Sequence, residues 1–172
     1  TITAIERANT ALLMLDATEP ATSQDIHITG YAYEAYKGLV IIVNKWDLAE
    51  RKGMSQTKII EEIRRNLLFA PYVPILFASA LNRIGIESII DTSYKLYDER
   101  RHLVEGTFLN SVMITALAKN PPTSKGRRQL QIYKVSQDHL EPPTFTFLVN
   151  DPTLIHFSYQ RKYFYPRSKI RA

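Results

Sequence analysis

Apolar residues in the first part of the chain are grouped into short continuous runs, separated by longer amphipathic segments. The runs are Ala11–Ala17, Leu39–Val43 and Val73–Ala78. Continuous apolar runs of this length are typical of strands that are buried on both faces of a parallel sheet. The pattern therefore predicts three buried strands.

The amphipathic segments carry apolar residues at helical spacing and open with residues that cap helices. Thr22 or Ser23 is expected to start one helix, which runs to about Tyr36 with Gly38 at its exit, and Ser55 is expected to start the next. A third helix is predicted over Ile86–Leu103. Strands and helices in this alternation predict an α/β fold with a parallel sheet and right-handed crossovers. The predicted inner side of the third helix consists of Ile86, Ile89, Ile90, Ser93, Tyr94 and Tyr97.

The pattern changes after Gly106, where the remaining segments are shorter and two of them alternate as half-buried strands do. Thr107 is expected to cap a helix that ends near Lys119, and the order of elements predicts a small α+β domain. The later elements are a strand over Gln129–Gln137, a strand over Thr144–Val149, a helix opened by Asn150–Pro152 and a strand over Ser168–Arg171.

Charge is distributed unevenly along the chain. Residues 1–103 contain 12 Lys and Arg against 13 Asp and Glu, whereas residues 104–172 contain 10 against 4. The charge difference and the change in the pattern of elements after Gly106 together predict two domains, at residues 1–104 and 105–172. A basic, aromatic-rich domain is a candidate for RNA contact, here through Lys125, Arg127 and Arg128. A solvated basic surface is the alternative.

Composition excludes several classes of site. The chain contains no cysteine, which rules out disulfides and thiolate metal sites, and its four histidines show no ligand spacing. No apolar stretch approaches the length of about twenty residues that a membrane span needs. No signal peptide opens the chain. A cytoplasmic protein without a membrane span is therefore expected.

The tetrad Asn44-Lys45-Trp46-Asp47 follows directly after the second apolar run. A carboxylate can accept parallel hydrogen bonds from the ring N–H and the exocyclic amine of guanine, a pair that adenine lacks. The Asn amide can contact the other edge of the base and tie neighbouring loops together, and the Lys methylenes can lie across the base. The alternative is structural, with Asn44 or Asp47 capping a helix.

A second candidate element, Ser79-Ala80-Leu81, follows the third apolar run. A small Ser-Ala turn lets a backbone N–H approach the guanine carbonyl oxygen, although an ordinary strand-to-helix turn would have the same composition. Ligands of parallel sheets bind beyond the carboxyl ends of the strands, and both elements are expected there. This agreement favours a guanine site.

These residues carry a resemblance to the Der (EngA) family of bacterial GTPases, which have two GTP-binding (G) domains in tandem and a terminal KH-like domain. The resemblance covers nearly the whole chain, and its last stretch is specific to that family. The matching stretches are Ile5–Ala8, Leu15–Glu19, Asp25–Ala32, Val43–Leu48, Phe77–Leu81, Pro121–Pro122 with Lys125–Arg127, Pro142–Phe145 and Val149–Tyr159.

The resemblance implies a partial P-loop GTPase-type sheet followed by a KH-like α+β domain, and GTP binding and hydrolysis coupled to assembly of the large ribosomal subunit. The family's guanine-binding residues match Asn44, Lys45 and Asp47, and its second base-contacting loop matches Ser79, Ala80 and Leu81. GTP or GDP with Mg²⁺ is the implied cofactor. The KH-like domain lacks Gly-X-X-Gly, so docking on the other G domain or on ribosomal surfaces is implied instead of a KH-type RNA clamp.

The chain departs from the family pattern in two places. It contains neither Gly-X-X-X-X-Gly-Lys-Ser/Thr nor Asp-X-X-Gly. The phosphate loop, the Mg²⁺ ligands and any catalytic residue are therefore expected in a preceding part of the protein. The stretch Lys162–Arg167 also does not resemble the long helix of the family, which predicts a break near Arg161. Two functions other than a GTPase remain open, a nucleotide-independent module that binds rRNA or ribosomal proteins, and a scaffold.

Overall fold

The chain divides into two compact units, Thr1–Glu99 and Arg100–Ala172. The computed structural model describes residues 2–122, 124–125, 128–155 and 168–171. Within these ranges, no helix is both long enough and apolar enough to cross a membrane.

The first unit is an α/β fold around a three-stranded, fully parallel sheet with the order β1-β2-β3. The prediction of a parallel α/β sheet is confirmed. A short helix that begins at Trp46, inside the tetrad, was not among the predicted elements. The elements are α1 (Ile2–Arg7), β1 (Thr10–Asp16), α2 (Ser23–Glu34), β2 (Gly38–Asn44), α3 (Trp46–Arg51), α4 (Gln56–Asn66), β3 (Ile75–Phe77) and α5 (Ile86–Glu99).

The central strand β2 is buried over its whole length except for its last residue. On one face, Ile41 and Val43 belong to a core that includes Ile59 and Ile63 of α4. On the other face, Val40 and Ile42 form a second cluster with residues of α5. Full burial of each such aliphatic side chain contributes about 1.5–3 kcal/mol, so packing on both faces stabilises β2 in its central position.

The register of the sheet brings the carboxyl ends of the strands to one edge. Asp16, the last residue of β1, pairs with Asn44, the last residue of β2. Phe77, the last residue of β3, pairs with Val43. The residues that follow these strand ends therefore start from neighbouring positions.

The starts and ends of α2 and α4 refine the predictions made from capping residues. Thr22 caps α2 through a capping box with Asp25, as predicted. The predicted helix exit at Gly38 is wrong, because the left-handed residue after α2 is Tyr36 and Gly38 already pairs in β2. Ser55 precedes α4, but its side chain makes no capping hydrogen bond within the described residues.

The predicted inner side of α5 is confirmed for Ile89 and wrong for Ile86, Ile90 and Tyr94. Ile89 and Leu96 pack against the sheet. Tyr94, with 74% of its surface exposed, and the exposed residues Ile86 and Ile90 lie on another side. Positions 89, 93 and 96 also follow helical spacing, so periodicity alone did not select the correct stripe.

The second unit contains a three-stranded sheet with the order β6-β7-β8, in which β7 pairs antiparallel with β6 and parallel with β8. Leu130, Val149 and Leu154 form its buried core. The α+β prediction agrees with these elements. They are α6 (Gly106–Lys119), β4 (Ser124–Lys125), β5 (Arg128–Gln129), β6 (Ile132–His139), β7 (Thr144–Val149), a 3-10 turn (Pro152–Leu154) and β8 (Ser168–Arg171).

Two predicted helix starts in the second unit differ from the structure, and part of one prediction falls outside the described residues. Glu105, not Thr107, is the N-cap of α6, and the Thr107 hydroxyl donates to the Glu105 carboxylate. The predicted helix after Asn150 begins as the 3-10 turn that Asp151 caps. Its predicted continuation and the predicted break near Arg161 lie in residues 156–167, outside the described residues.

Gly85 fixes the chain between β3 and α5. It has a φ of +81°, and a Cβ built on it would lie 2.6 Å from the Phe77 carbonyl oxygen. We predict that Gly85→Ala destabilises the protein by about 1–3 kcal/mol, through backbone strain and this collision. The measurement is urea unfolding followed by the fluorescence of Trp46, the single tryptophan of the chain.

Gly30→Ala is the matched control. Gly30 lies inside α2, with nothing within 4 Å of an added Cβ. This change should be neutral or stabilise the helix by up to about 1 kcal/mol. Equal effects of the two substitutions would contradict the role given to Gly85.

Candidate guanine-binding site

Asn44 links the ends of the three strands. Its backbone carbonyl accepts a hydrogen bond from Ala17 N–H at 2.8 Å. Its side-chain Oδ1 accepts one from Ala80 N–H at 3.0 Å, and its Nδ2 lies 3.6 Å from Met14 Sδ. The side chain thus ties the loop after β3 to the end of β2.

Lys45 lies at the rim of this edge in a left-handed conformation, with φ 61° and ψ 31°. Its Nζ donates to Asp16 Oδ2 at 2.6 Å, while 54% of the Lys45 side chain is exposed. Asp16 Oδ1 accepts two further bonds, from Thr18 N–H at 2.9 Å and from the Thr18 hydroxyl at 2.7 Å. The bonds from Lys45 and from Thr18 lower the pKa of Asp16 from 3.8 to about 2.

Asp47 lies in the first turn of α3 and is half-buried. Its Oδ1 accepts a hydrogen bond of 2.6 Å from the hydroxyl of Ser79, which is only 2% exposed. The Ser79 Oγ also accepts from Asn82 N–H at 3.2 Å, so this hydroxyl is held on both sides. Within the described residues, no hydrogen bond reaches Oδ2 of Asp47, which leaves an acceptor available.

The alternative that the tetrad caps a helix does not match the geometry. The N-cap position of α3 is Lys45, and its side chain makes no capping bond among the described residues. Asn44 is the last residue of β2 and bonds to the loop after β3, whereas Asp47 lies inside the helix and bonds to Ser79. Neither Asn44 nor Asp47 caps α3.

The second candidate element forms a tight turn at the same edge. Ser79 and Ile84 exchange backbone hydrogen bonds of 3.1 and 3.0 Å, which closes the loop. The Ala80 N–H donates to Asn44, so it is not a free donor as the sequence suggested. The Leu81 N–H has no partner in the described parts of the chain, and the Leu81 side chain is 83% exposed.

Asp16 and Thr18 were not predicted as site residues, although they lie beside the tetrad. Asp16 was predicted near the end of a buried strand, without a role of its own. The sequence did contain a signal for Asp16. Parallel strands end at the same edge of a sheet, so a charged residue at the end of one strand is expected beside the end of its neighbour. The pairing of Asp16 with Asn44 is that arrangement.

The structure describes only part of the candidate basic contact. The Arg128 side chain is 80% exposed and lies 3.8 Å from the Asp151 carboxylate. Lys125 contributes its backbone to β4, and its side chain is outside the description. Arg127 is not among the described residues, so this group stays a prediction.

A metal site was expected only together with the nucleotide. Among the residues that the structure describes, no group of three or more acidic or histidine side chains could hold a metal ion. These residues do not fit a magnesium site, and no catalytic step through Mg²⁺ is assigned to them.

Two family models match the chain. Residues 1–99 match the elongation factor Tu GTP-binding domain, and residues 104–165 match the KH-domain-like C-terminal domain of EngA bacterial GTPase enzymes. The chain is similar to GTPase Der of Caldanaerobacter subterraneus, at 42% identity over 93% of this chain and 36% of that protein. GTPase Der of Alkaliphilus metalliredigens is 42% identical over 99% of this chain and 38% of that protein.

The chain therefore spans less than two-fifths of the length of these relatives. Among solved structures, it is similar to Aquifex aeolicus Era bound to GDP and AlF4⁻. The identity is 20%, the TM-score is 0.47, and the match covers 93% of this chain and 58% of the other.

The lowered pKa of Asp16 makes a testable contribution to stability. A depressed pKa means that the folded state favours the carboxylate, so the contribution is present above about pH 4 and is lost as the pH falls toward 2. We predict that Asp16→Asn lowers the free energy of unfolding by no more than about 1 kcal/mol at pH 7, because the pair is partly exposed.

The difference between the wild-type protein and the variant should narrow between pH 5 and pH 2 in denaturant titrations. Glu19→Gln, the same chemical change at an exposed position of the next turn, is the control. A difference that stays constant over this pH range would contradict the ion pair.

Proposed function

Because the chain belongs to the Der (EngA) family of GTPases, we propose that it supplies guanine recognition to a GTP-binding and GTP-hydrolysing protein of ribosome assembly. The observation that carries the proposal is the Asp47 carboxylate. One of its oxygens is bonded to the buried Ser79 hydroxyl, and the other has no hydrogen-bond partner within the described residues.

The proposed chemistry follows from the acceptor geometry of a carboxylate. Guanine donates from its ring N–H and from its exocyclic amine, and these two parallel bonds match two carboxylate oxygens. Oδ1 can accept a second bond beside that of Ser79, and Oδ2 accepts the other. Adenine lacks this donor pair and would leave Oδ2 of a half-buried carboxylate without a partner, which costs orders of magnitude in affinity.

The neighbouring residues have supporting roles in the proposal. Ser79 fixes the rotamer of Asp47, and Asn44 holds the turn at Ala80 beside it. The stem of Lys45 offers an apolar strip for one face of the base. The exposed Leu81 side chain and its backbone N–H lie on the same turn as Ala80 and complete the proposed base pocket.

The remaining parts of the GTPase are proposed to lie outside these residues. Residues 1–104 form the C-terminal part of a G domain, and residues 105–172 form the KH-like domain. The phosphate loop, the Mg²⁺ ligands and the groups that stabilise the transition state belong to a preceding part, so no catalytic residue is assigned here. Further proposals are action on the large ribosomal subunit, contact with another G domain of the same protein, and a cytoplasmic location.

A second candidate function is nucleotide-independent binding of rRNA or a ribosomal protein by the second unit. The exposed Arg128 and the 58% exposed Tyr133 support it, since a cation and an aromatic ring are common partners of RNA. The excess of basic residues after residue 103 adds an attractive field for phosphates.

Asp47→Asn in the full-length protein tests the guanine proposal. An amide cannot accept both bonds, and its NH2 would face the guanine amine. Affinity for GTP and GDP should fall by about 2–4 kcal/mol, whereas xanthine nucleotides, which carry a carbonyl in place of that amine, should gain. Nucleotide competition measures both changes.

Glu50→Gln, at an exposed position of the same helix α3, is the control and should leave the preference unchanged. If Asp47→Asn also leaves nucleotide preference unchanged, guanine recognition by this site is wrong and the scaffold interpretation remains.

Charge reversal at Arg127 and Arg128 tests the RNA candidate. The double variant should weaken rRNA binding and reduce the dependence of log Kd on log salt by about two units, because two phosphate contacts are lost. Lys119→Glu, at the exposed end of α6, is the control and makes the same kind of charge reversal at a single position. An unaltered salt dependence would remove these arginines from the interface.

A further inference from the structure

Resting on the proposed guanine site, we propose that Asp16 is a positioning residue that holds Lys45 ready beneath the base. Asp16 would then set how tightly the protein binds any purine nucleotide that contacts Lys45, while Asp47 sets which base is preferred. The two aspartates lie at the same edge of the sheet and have separate partners.

The Asp16 carboxylate is fixed on both of its oxygens. Oδ1 accepts from Thr18 N–H and from the Thr18 hydroxyl, at 2.9 and 2.7 Å. Oδ2 accepts from Lys45 Nζ at 2.6 Å. Because strand register places Asp16 beside Asn44, the anchor is set by the sheet itself and not by a loose side chain.

The backbone of Lys45 indicates that its side chain is needed at this position. A left-handed conformation costs a residue with a Cβ about 1–2 kcal/mol, a cost that glycine would avoid. The fold nevertheless places a lysine there and pairs its ammonium with a carboxylate. The side chain remains 54% exposed, so its stem extends along the open edge of the sheet.

The anchor changes the entropy of nucleotide binding. A free lysine side chain has many rotamers, and a ligand that immobilises it must offset their loss. The bond to Asp16 restricts these rotamers before the ligand arrives. Loss of one such restraint corresponds to an affinity change of about three- to tenfold.

The separation from Asp47 gives the inference a distinctive readout. In the described residues, no hydrogen bond joins Asp16 to Asp47 or to Ser79. Inosine nucleotides lack the 2-amine of guanine, so the ratio of GDP to IDP affinity reports on Asp47. Asp16 should leave this ratio unchanged while lowering both affinities.

The experiment measures Kd for GDP and IDP with the full-length protein and its Asp16→Asn variant. The amide oxygen can still accept the Thr18 bonds, but the amide cannot form an ion pair with Lys45. Both affinities should weaken about three- to tenfold, with an unchanged GDP to IDP ratio. Glu19→Gln, the same change at a neighbouring exposed position, should alter neither affinity.

Lys45→Met supplies the coupling test and a second way to break the pair, because it keeps an unbranched stem and removes the ammonium. It should lower both affinities by a similar factor, and Asp16→Asn should have no further effect in this background. If Asp16→Asn lowers the affinities equally in the wild-type and the Lys45→Met protein, or changes the GDP to IDP ratio, Asp16 has a general structural role and the inference is overturned. If the Asp16→Asn variant does not fold, Lys45→Met alone must weaken the binding of GDP and of IDP about three- to tenfold and leave the ratio of the two affinities unchanged.

The inference and the proposed function fail separately. An Asp47→Asn variant that keeps the wild-type GDP to IDP ratio overturns the guanine site itself. If Asp47→Asn lowers that ratio but Asp16→Asn binds GDP as the wild type does, only the positioning role of Asp16 is overturned.

Discussion

The hydrogen bond from the Ser79 hydroxyl to the Asp47 carboxylate is the interaction on which the proposed site depends. It joins the loop after β3 to the helix after β2, two segments far apart in sequence. A buried hydroxyl at 2.6 Å leaves the carboxylate few orientations, and its second oxygen stays available. Without this bond, Asp47 would be one more half-buried acidic residue near a helix start.

The fully buried strand β2 and the parallel register make that bond possible. Aliphatic burial on both faces fixes the position of β2, and the register brings the ends of β1 and β3 beside it. Gly85 then lets the chain turn back against the Phe77 carbonyl, so that Ser79 and Ile84 can close the loop. The packing of β2 and the strand register thus place the Ser79 hydroxyl and the Asp47 carboxylate within hydrogen-bond distance of each other.

The three strands and the helices α2, α4 and α5 of the first unit could be predicted from sequence, because continuous apolar runs and helical spacing are local signals, whereas the short helix α3 could not. The packed side of α5 could be predicted only in part, since Ile86 and Ile89 both fit helical spacing and only the tertiary contacts show that Ile89 packs and Ile86 is exposed. Thr107 was wrong as a cap because α6 begins one residue before it, at Gly106, and the Thr107 hydroxyl bonds to the Glu105 carboxylate. Asp47 and Ser79 could be predicted as site residues because each follows a predicted strand of the parallel sheet. Asp16 was missed because its partner Lys45 had been assigned to the face of the base.

A crystal structure of the full-length protein with GDP would test the central claim most directly. The account predicts both Asp47 carboxylate oxygens within about 2.7–3.2 Å of the guanine ring N–H nitrogen and the exocyclic amine nitrogen, with the Ser79 bond retained. A guanine bound elsewhere, or an Asp47 carboxylate turned away from the base, would contradict it.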